Sequence, residues 1–327
     1  MNKIHLLQLG FGNVGKAFVK EVEAYNNSQS KICYSWIDIK TSKGSVLNNK
    51  SSTCHPGLDP GPIGRSIMLD LTASQKTTTQ LLETRKNNQA IILANKIPLI
   101  QSQSIFNELL SGPIGFRATV GAGLPVIPEI RSLLDQGDKI TKLEACLSGT
   151  MGILFSELES GRLFSEIIAD AMDKGFTEPD PRIDLSGSDV AKKILILSRL
   201  SGYSMEYEDL KQEKLYPDPM EEIELDQFIS QLFLFDQLLM NRMQKAQANN
   251  QTLRYVATLE NGQCSVGIKT VLKNSPLGQL ENDQKRILIY TDKSTDPIII
   301  TGAGSGPVDT AKDLIKDLID DYNRDIR

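Results

Sequence analysis

An apolar run, Ile4-His5-Leu6-Leu7-Gln8-Leu9, leads straight into Gly10-x-Gly12-x-x-Gly15, and a segment of helical period follows to about Ala24. Strand, glycine turn and helix in this order are the context that a dinucleotide-binding β-α-β unit requires, against the alternative of an ordinary Gly-rich turn. Glycine allows the tight turn and lets the backbone approach a pyrophosphate. The helix N-terminus adds N–H groups and partial positive charge. A second apolar run, Ile32 to Ile37, ends at Asp38. That is about 20 residues beyond the glycines, where an acid grips the adenosine ribose of NAD. Lys40 and Lys43 follow and suit the 2′-phosphate of NADP, so the residues leave both cofactors open.

Alternation continues down the chain. Residues 44–65 are polar and rich in Gly, Pro and Ser, and the stretch around Cys54 and His55 reads as an exposed excursion without a catalytic part. Ile67 to Thr72 and Ala90 to Leu93 read as strands, the latter running into Asn95-Lys96. The pattern predicts an α/β fold, a doubly wound sheet of Rossmann type. A helix from Pro125 to Asp135 leaves this domain. Ile140 to Leu147 is a strand ending at Ser148-Gly149-Thr150, where a helix starts and continues to Gly161. Backbone N–H groups there suit a carboxylate, and a plain Ser/Thr helix cap fits equally well. Residues 204–250 read as helical, and Arg254–Leu259, Ser265–Val271, Ile287–Tyr290 and Thr295–Thr301 as strands. A last helix covers about Val308 to Tyr322. The expected division is 1–130 for the nucleotide domain, 131–300 for a catalytic and dimerisation α+β domain with a mixed sheet, and 301–327 returning to the first.

With 327 residues the chain is long enough for two such domains. A net charge of −5 argues against nucleic acid or an anionic membrane surface as partner. No segment approaches the roughly 20 apolar residues of a membrane span. The four cysteines, Cys33, Cys54, Cys146 and Cys264, are widely spread, and free thiols in a reducing cytoplasm are the simplest account. With only two histidines, His5 and His55, proton transfer falls to lysine and carboxylate.

Those residue types concentrate in one run, Gly175-Phe-Thr-Glu178-Pro-Asp180-Pro181-Arg-Ile-Asp184-Leu-Ser-Gly187-Ser-Asp189-Val-Ala-Lys192-Lys193. Pro and Gly make Glu178 to Gly187 a rigid loop rather than a helix. From Ser188 the period turns helical up to Gly202, so Asp189 and Lys193 sit at i and i+4 on one face, with Val190 and Leu197 flanking the lysine stem. A partly desolvated lysine beside a carboxylate can move a proton. The same spacing also fits solvated acids and a surface ion pair.

The run closely resembles the signature of homoserine dehydrogenases, with Gly175, Glu178, Asp180, Pro181, Asp184, Gly187, Asp189 and Lys193 in register. Further collinear blocks resemble the family over most of the chain: the Gly10–Gly15 turn, Ala94-Asn95-Lys96, Ala118 to Pro125, Ser148-Gly149-Thr150 and Gly302 to Gly306. The resemblance is to the short form, without aspartokinase or regulatory domain. It implies reversible reduction of aspartate 4-semialdehyde to homoserine with NADP or NAD, in a homodimer of threonine and methionine biosynthesis. It assigns Lys193 as main acid/base, Lys96 as its partner and Asp189 as orienter. Glu178 and Asp184 would take the substrate ammonium, and Gly149 and Thr150 its carboxylate. The cofactor would meet Gly10, Gly12, Asn13, Val14, Gly15, Asp38, Lys40, Lys43, Thr72, Asn95, Lys96, Gly302, Gly304 and Gly306.

Two departures stand out. The family's Asn-Gly-Thr-Thr-Asn reads Ser148-Gly149-Thr150-Met151-Gly152. Arg117 replaces a glutamate that, with the carbonyls of Val120, Ala122 and Leu124, holds a monovalent cation. A guanidinium cannot ligate a cation; either Arg117 bonds those carbonyls itself, or it points to solvent and the site is empty or filled by water. A phosphorylating semialdehyde dehydrogenase would need an activated cysteine with a histidine partner, which the chain lacks. A silent nucleotide-binding protein would not need so many desolvated charges.

Overall fold

In the computed structural model, which describes residues 2–28, 32–45, 66–303 and 306–326, strand β1 (Asn2–Leu9) enters the glycine turn and helix α1 (Asn13–Ser28). β2 (Ile32–Thr41) lies parallel to β1, and a turn at Ser42-Lys43 folds back the short antiparallel β3 (Gly44–Ser45). β4 (Ser66–Asp70) pairs with the other side of β1. α2 (Thr78–Lys86), β5 (Ala90–Leu93), α3 (Ile97–Ile100), α4 (Gln103–Leu110) and β6 (Ile114–Gly115) follow. The sheet order is β3-β2-β1-β4-β5-β6. The chain winds outward from β1 in both directions, so the order reverses between β1 and β4. In open α/β sheets ligands bind at that switch point, outside the carboxyl ends of the strands. Leu6, Ile67, Leu69 and Ile92 are buried, as expected for parallel strands covered on both faces.

Helix α5 (Val126–Asp135) carries the chain past Pro128, where the first compact unit gives way to the second, Glu129–Ala303. There β7 (Ile140–Cys146) is followed by α6 (Gly149–Glu159), α7 (Phe164–Asp173), α8 (Arg182–Leu185), α9 (Ser188–Leu200) and β8 (Lys211–Gln212). Next come α10 (Leu225–Gln231), α11 (Asp236–Gln247), β9 (Gln251–Glu260), β10 (Gln263–Leu272), β11 (Lys285–Thr291) and β12 (Ile298–Gly302). The sheet order is β12-β11-β7-β9-β10-β8, antiparallel except for the β10–β8 pair, hence mixed. β9 is buried along nearly its whole length, and α6, α9 and α11 pack on it. α12 (Pro307–Ile326) belongs to the first unit and buries Ala311, Leu314 and Leu318 in one core with Phe18 and Val22 of α1.

Several expectations change. β2 continues through Asp38 to Thr41, so Asp38 lies within the strand rather than at its end. Glu178 to Gly187 is not all loop: α8 forms one helical turn, because Pro181 (φ −64°) is already set for helix and bounds the turn instead of excluding it. Residues 204–250 are less helical than their pattern, since Pro217 and Pro219 remove backbone donors between the helices. β12 starts at Ile298, not Thr295. Cys33 is disulfide-bonded, which corrects the free-thiol expectation for that residue; Cys146 and Cys264 are free and buried. The excursion with Cys54 and His55, and Gly304, lie outside the described residues. No helix among the described residues is long and apolar enough to cross a membrane.

Candidate active site

The glycine turn divides its tasks. Gly10 adopts φ +93° and donates its N–H to the Lys40 carbonyl at 2.8 Å, and a Cβ there would meet the Leu71 carbonyl. A Cβ on Gly12 would meet nothing within 4 Å, so this backbone is open to a ligand. A Cβ on Gly15 would sit 2.7 Å from the Gly10 carbonyl, so only glycine lets α1 pack this closely. Asn13 is exposed, and Val14 packs on the core beneath. Asp38 accepts a hydrogen bond from Ser45, and Lys40 and Lys43 are exposed. Gly306 (φ +90°) precedes α12, with its carbonyl bonded by Thr310. Gly302, in contrast, pairs with Lys285 in the sheet of the second unit, which corrects its place in the nucleotide half.

At the switch point the structure shows a residue that pattern reading passed over. Asp70, wholly buried at the end of β4, accepts the Thr72 N–H and hydroxyl at 3.0 and 2.7 Å, the Thr77 hydroxyl at 2.6 Å and the Asn95 amide at 2.9 Å. Thr72 and Asn95 thus turn their side chains onto this carboxylate. Asn95 is 2% exposed, with its amide turned inward to Asp70 and the Ser74 carbonyl and its N–H on the Asp70 carbonyl. Lys96 follows as the residue that caps α3. The available signal was Asp-x-Thr at a strand end, a local Asx turn.

In the second unit, Lys193 Nζ lies 2.6 Å from Asp189 Oδ2 and donates to the Leu147 carbonyl at 2.8 Å, with the lysine side chain 13% exposed. Helix α9 supplies the i,i+4 pair, and the end of β7 supplies the carbonyl. Gly187 (φ +73°) starts α9 against the ring of Tyr255, with which any Cβ would collide. Asp184 accepts the Glu178 N–H at 2.8 Å and lies against the Thr150 hydroxyl. Burial pushes its carboxyl above the ordinary range; the Glu178 N–H and Thr150 draw it back, Asp189 raises it and Lys193 lowers it. The structure therefore gathers Asp184, Asp189, Lys193 and Thr150 within electrostatic reach. The side chain of Glu178 is exposed beside them. Asp180 is spent on structure: Arg182 grips both its oxygens and reaches the carbonyls of Glu221 and Ile223.

Ser148 caps α6 by accepting the Met151 N–H at 3.2 Å, leaving Gly149 and Thr150 at the helix start. The departure at Gly152 has a steric reason, because a Cβ there would run into the Asn282 carbonyl. The expectation for Arg117 fails. Its guanidinium bonds Asp317 at 2.9 Å and also Asp320 of α12, not the carbonyls of Val120, Ala122 and Leu124. Asp313 takes the Gly123 N–H at 2.6 Å, and the Leu124 carbonyl takes the Val126 N–H. No group of three or more His, Cys, Asp or Glu suited to a metal occurs among the described residues. Burial pushes Cys146 up to about 12 and Cys264 up to about 11, so neither is a thiolate nucleophile.

Fold and site define the class: a Rossmann-type dinucleotide-binding unit joined to a mixed-sheet unit that carries a lysine–carboxylate site. The family model for homoserine dehydrogenase matches residues 125–319, and the chain belongs to that family. It is 28% identical to homoserine dehydrogenase of Saccharomyces cerevisiae over 97% of each chain. It is 39% identical to the chloroplastic bifunctional aspartokinase/homoserine dehydrogenase 1 of Arabidopsis thaliana over 62% of this chain and 23% of that one. The chain spans 23–32% of the length of this and two similar bifunctional relatives. A hyperthermophilic archaeal homoserine dehydrogenase in complex with NADPH shares the fold, with a TM-score of 0.74, 20% identity and 98% of each chain covered.

Proposed function

We propose that this chain is a homoserine dehydrogenase, interconverting L-aspartate 4-semialdehyde and L-homoserine with NADP or NAD. The observation that carries the reading is Lys193, held by Asp189 and the Leu147 carbonyl inside the acidic run. The open backbone at Gly12 and the helix start behind it fit a pyrophosphate. A nicotinamide held there would supply the hydride chemistry of the reaction. Lys193 donates its remaining N–H to the aldehyde oxygen, steadies the charge that develops there and delivers the proton. Asp189, half exposed, orients the ammonium and links it to solvent protons. Lys96 is carried in the proposal as a second lysine of the reaction. Asp184 keeps acceptor capacity beyond its two bonds, and with Glu178 it takes the substrate ammonium. The N–H groups of Gly149 and Thr150 at the start of α6 take the carboxylate.

Homoserine-dependent reduction of NADP and of NAD, followed by absorbance, tests the reading. Turnover with homoserine and none with serine or threonine is expected; no turnover with either cofactor overturns it. A homodimer is part of the proposal, supported by the exposed Phe233, Leu234 and Leu238, which a second copy would cover. A monomer in analytical ultracentrifugation would remove that part.

A further inference from the structure

We propose that Asp70 is a positioning residue for the reaction, setting Lys96 through Asn95; the proposal rests on the reading of Lys96 given above. Asp70 is 0% exposed and receives four donors, from Thr72 N–H, Thr72 Oγ1, Thr77 Oγ1 and Asn95 Nδ2. Its own carbonyl accepts the N–H groups of Ala94 at 2.9 Å and Asn95 at 3.2 Å. Asn95 passes the constraint on. Its amide also bonds the Ser74 carbonyl at 2.8 Å, and its Oδ1 accepts the Ile97 N–H at 3.0 Å. The backbone on both sides of Lys96 is therefore tied to one carboxylate. A buried ionised carboxylate is costly to hold, even with hydrogen bonds. A neutral Asn or Ser would end a strand at less cost, but only a carboxylate, acceptor at every lone pair, receives four donors without presenting one of its own. The arrangement ties the β4 and β5 ends together at the sheet's switch point and fixes the backbone on both sides of Lys96.

The test uses the whole chain with Asp70→Asn, Asn95→Ala and the double variant, with sites counted by NADPH titration through Trp36 fluorescence. Displacing a reacting group by about an ångström costs on the order of 10²-fold, so kcat per NADPH-binding site should fall about 10- to 100-fold in each single variant. The double variant should be no slower than Asn95→Ala, because both changes cut one connection. The dissociation constant for NADPH should rise by less than kcat falls. A purely structural role would lower Tm and the number of sites and leave kcat per site unchanged. That result, or additive losses, overturns the inference. Should Asp70→Asn not fold, Thr77→Val removes one donor, and kcat per site must still fall by about threefold or more. An inactive parent enzyme overturns the homoserine reading and this inference together, whereas an active parent with equally active variants overturns this inference alone.

Discussion

Replacing Lys193 by Met keeps the apolar stem and removes the charged head, so the perturbation falls on chemistry and not on packing. An ammonium has three donors. Two are engaged, on Asp189 at 2.6 Å and on the Leu147 carbonyl at 2.8 Å, which leaves one for the substrate oxygen. Removing a positioned proton donor should lower kcat about 10²–10⁴-fold, which at 1.36 kcal/mol per decade is about 3–5 kcal/mol of transition-state stabilisation. The stability cost is separate and smaller. The Leu147 carbonyl loses a donor in a buried place, at about 1–3 kcal/mol. Asp189 is half exposed, so its share of the pair adds little. Stopped and steady-state absorbance give kcat, NADPH titration gives the site count, and urea unfolding gives stability. The cofactor dissociation constant should stay within about threefold of the parent, since the glycine turn lies in the other unit. More than about a tenth of parental kcat per site would refute the assignment of Lys193 as the proton donor.

The raised carboxyl of Asp184 has a sign that can be checked. Its folded-state pKa exceeds its unfolded value, so its contribution to stability is present in acid and lost as pH rises through the folded pKa. Asp184→Asn should therefore gain stability over the parent near neutral pH and lose that gain in acid, while the KM for homoserine rises; equal stability differences at both pH values reject the burial argument. Asp38→Ser should shift the ratio of kcat/KM values toward NADP by roughly tenfold, about 1.4 kcal/mol, and a constant ratio removes Asp38 from the ribose. Arg117→Met removes one charged donor from the 4%-exposed Asp317, which keeps the Arg117 N–H, and urea unfolding should show a loss of about 1–3 kcal/mol. Because the residue at position 117 is a guanidinium turned to Asp317 and Asp320, and not a carboxylate that could ligate a cation, parental activity should not distinguish sodium, potassium and a bulky organic cation at constant ionic strength.

Legibility followed the range of the interaction. The glycine turn, the i,i+4 pair of Asp189 and Lys193, and the β4 and β5 strands were readable, because each is written in neighbouring residues and one period decides it. Gly187 was readable as punctuation, but not as the place where Tyr255 comes so close that a side chain is excluded. The helical turn α8 was hidden by the same prolines that bound it. Gly302 was drawn into the nucleotide half by a glycine spacing, yet it ends a strand, because Ile298 to Ile300 are β-branched and pair with β11.

Arg117 shows where local reading fails for a physical reason. Its identity excluded a cation ligand, and the carbonyls of Val120, Ala122 and Leu124 were expected as partners only because the family resemblance places a cation there. The partners it takes, Asp317 and Asp320, lie 200 and 203 residues further on. Asp313, Asp317 and Asp321 recur every fourth residue and share one buried face of α12. A period-four row of acids normally marks the solvated side of a helix. Here the row turns inward, because Asp317 bonds the backbone and guanidinium of Arg117 and Asp313 bonds the Gly123 N–H. A Cβ on Gly115 would lie 2.5 Å from Asp317 Cβ, so the glycine makes the room that lets α12 settle there. Each half of this contact looks ordinary alone: an arginine after a short strand, a glycine before it, and acids on a terminal helix. Only the fold, by returning residues 307–326 to the first unit, makes them one cluster.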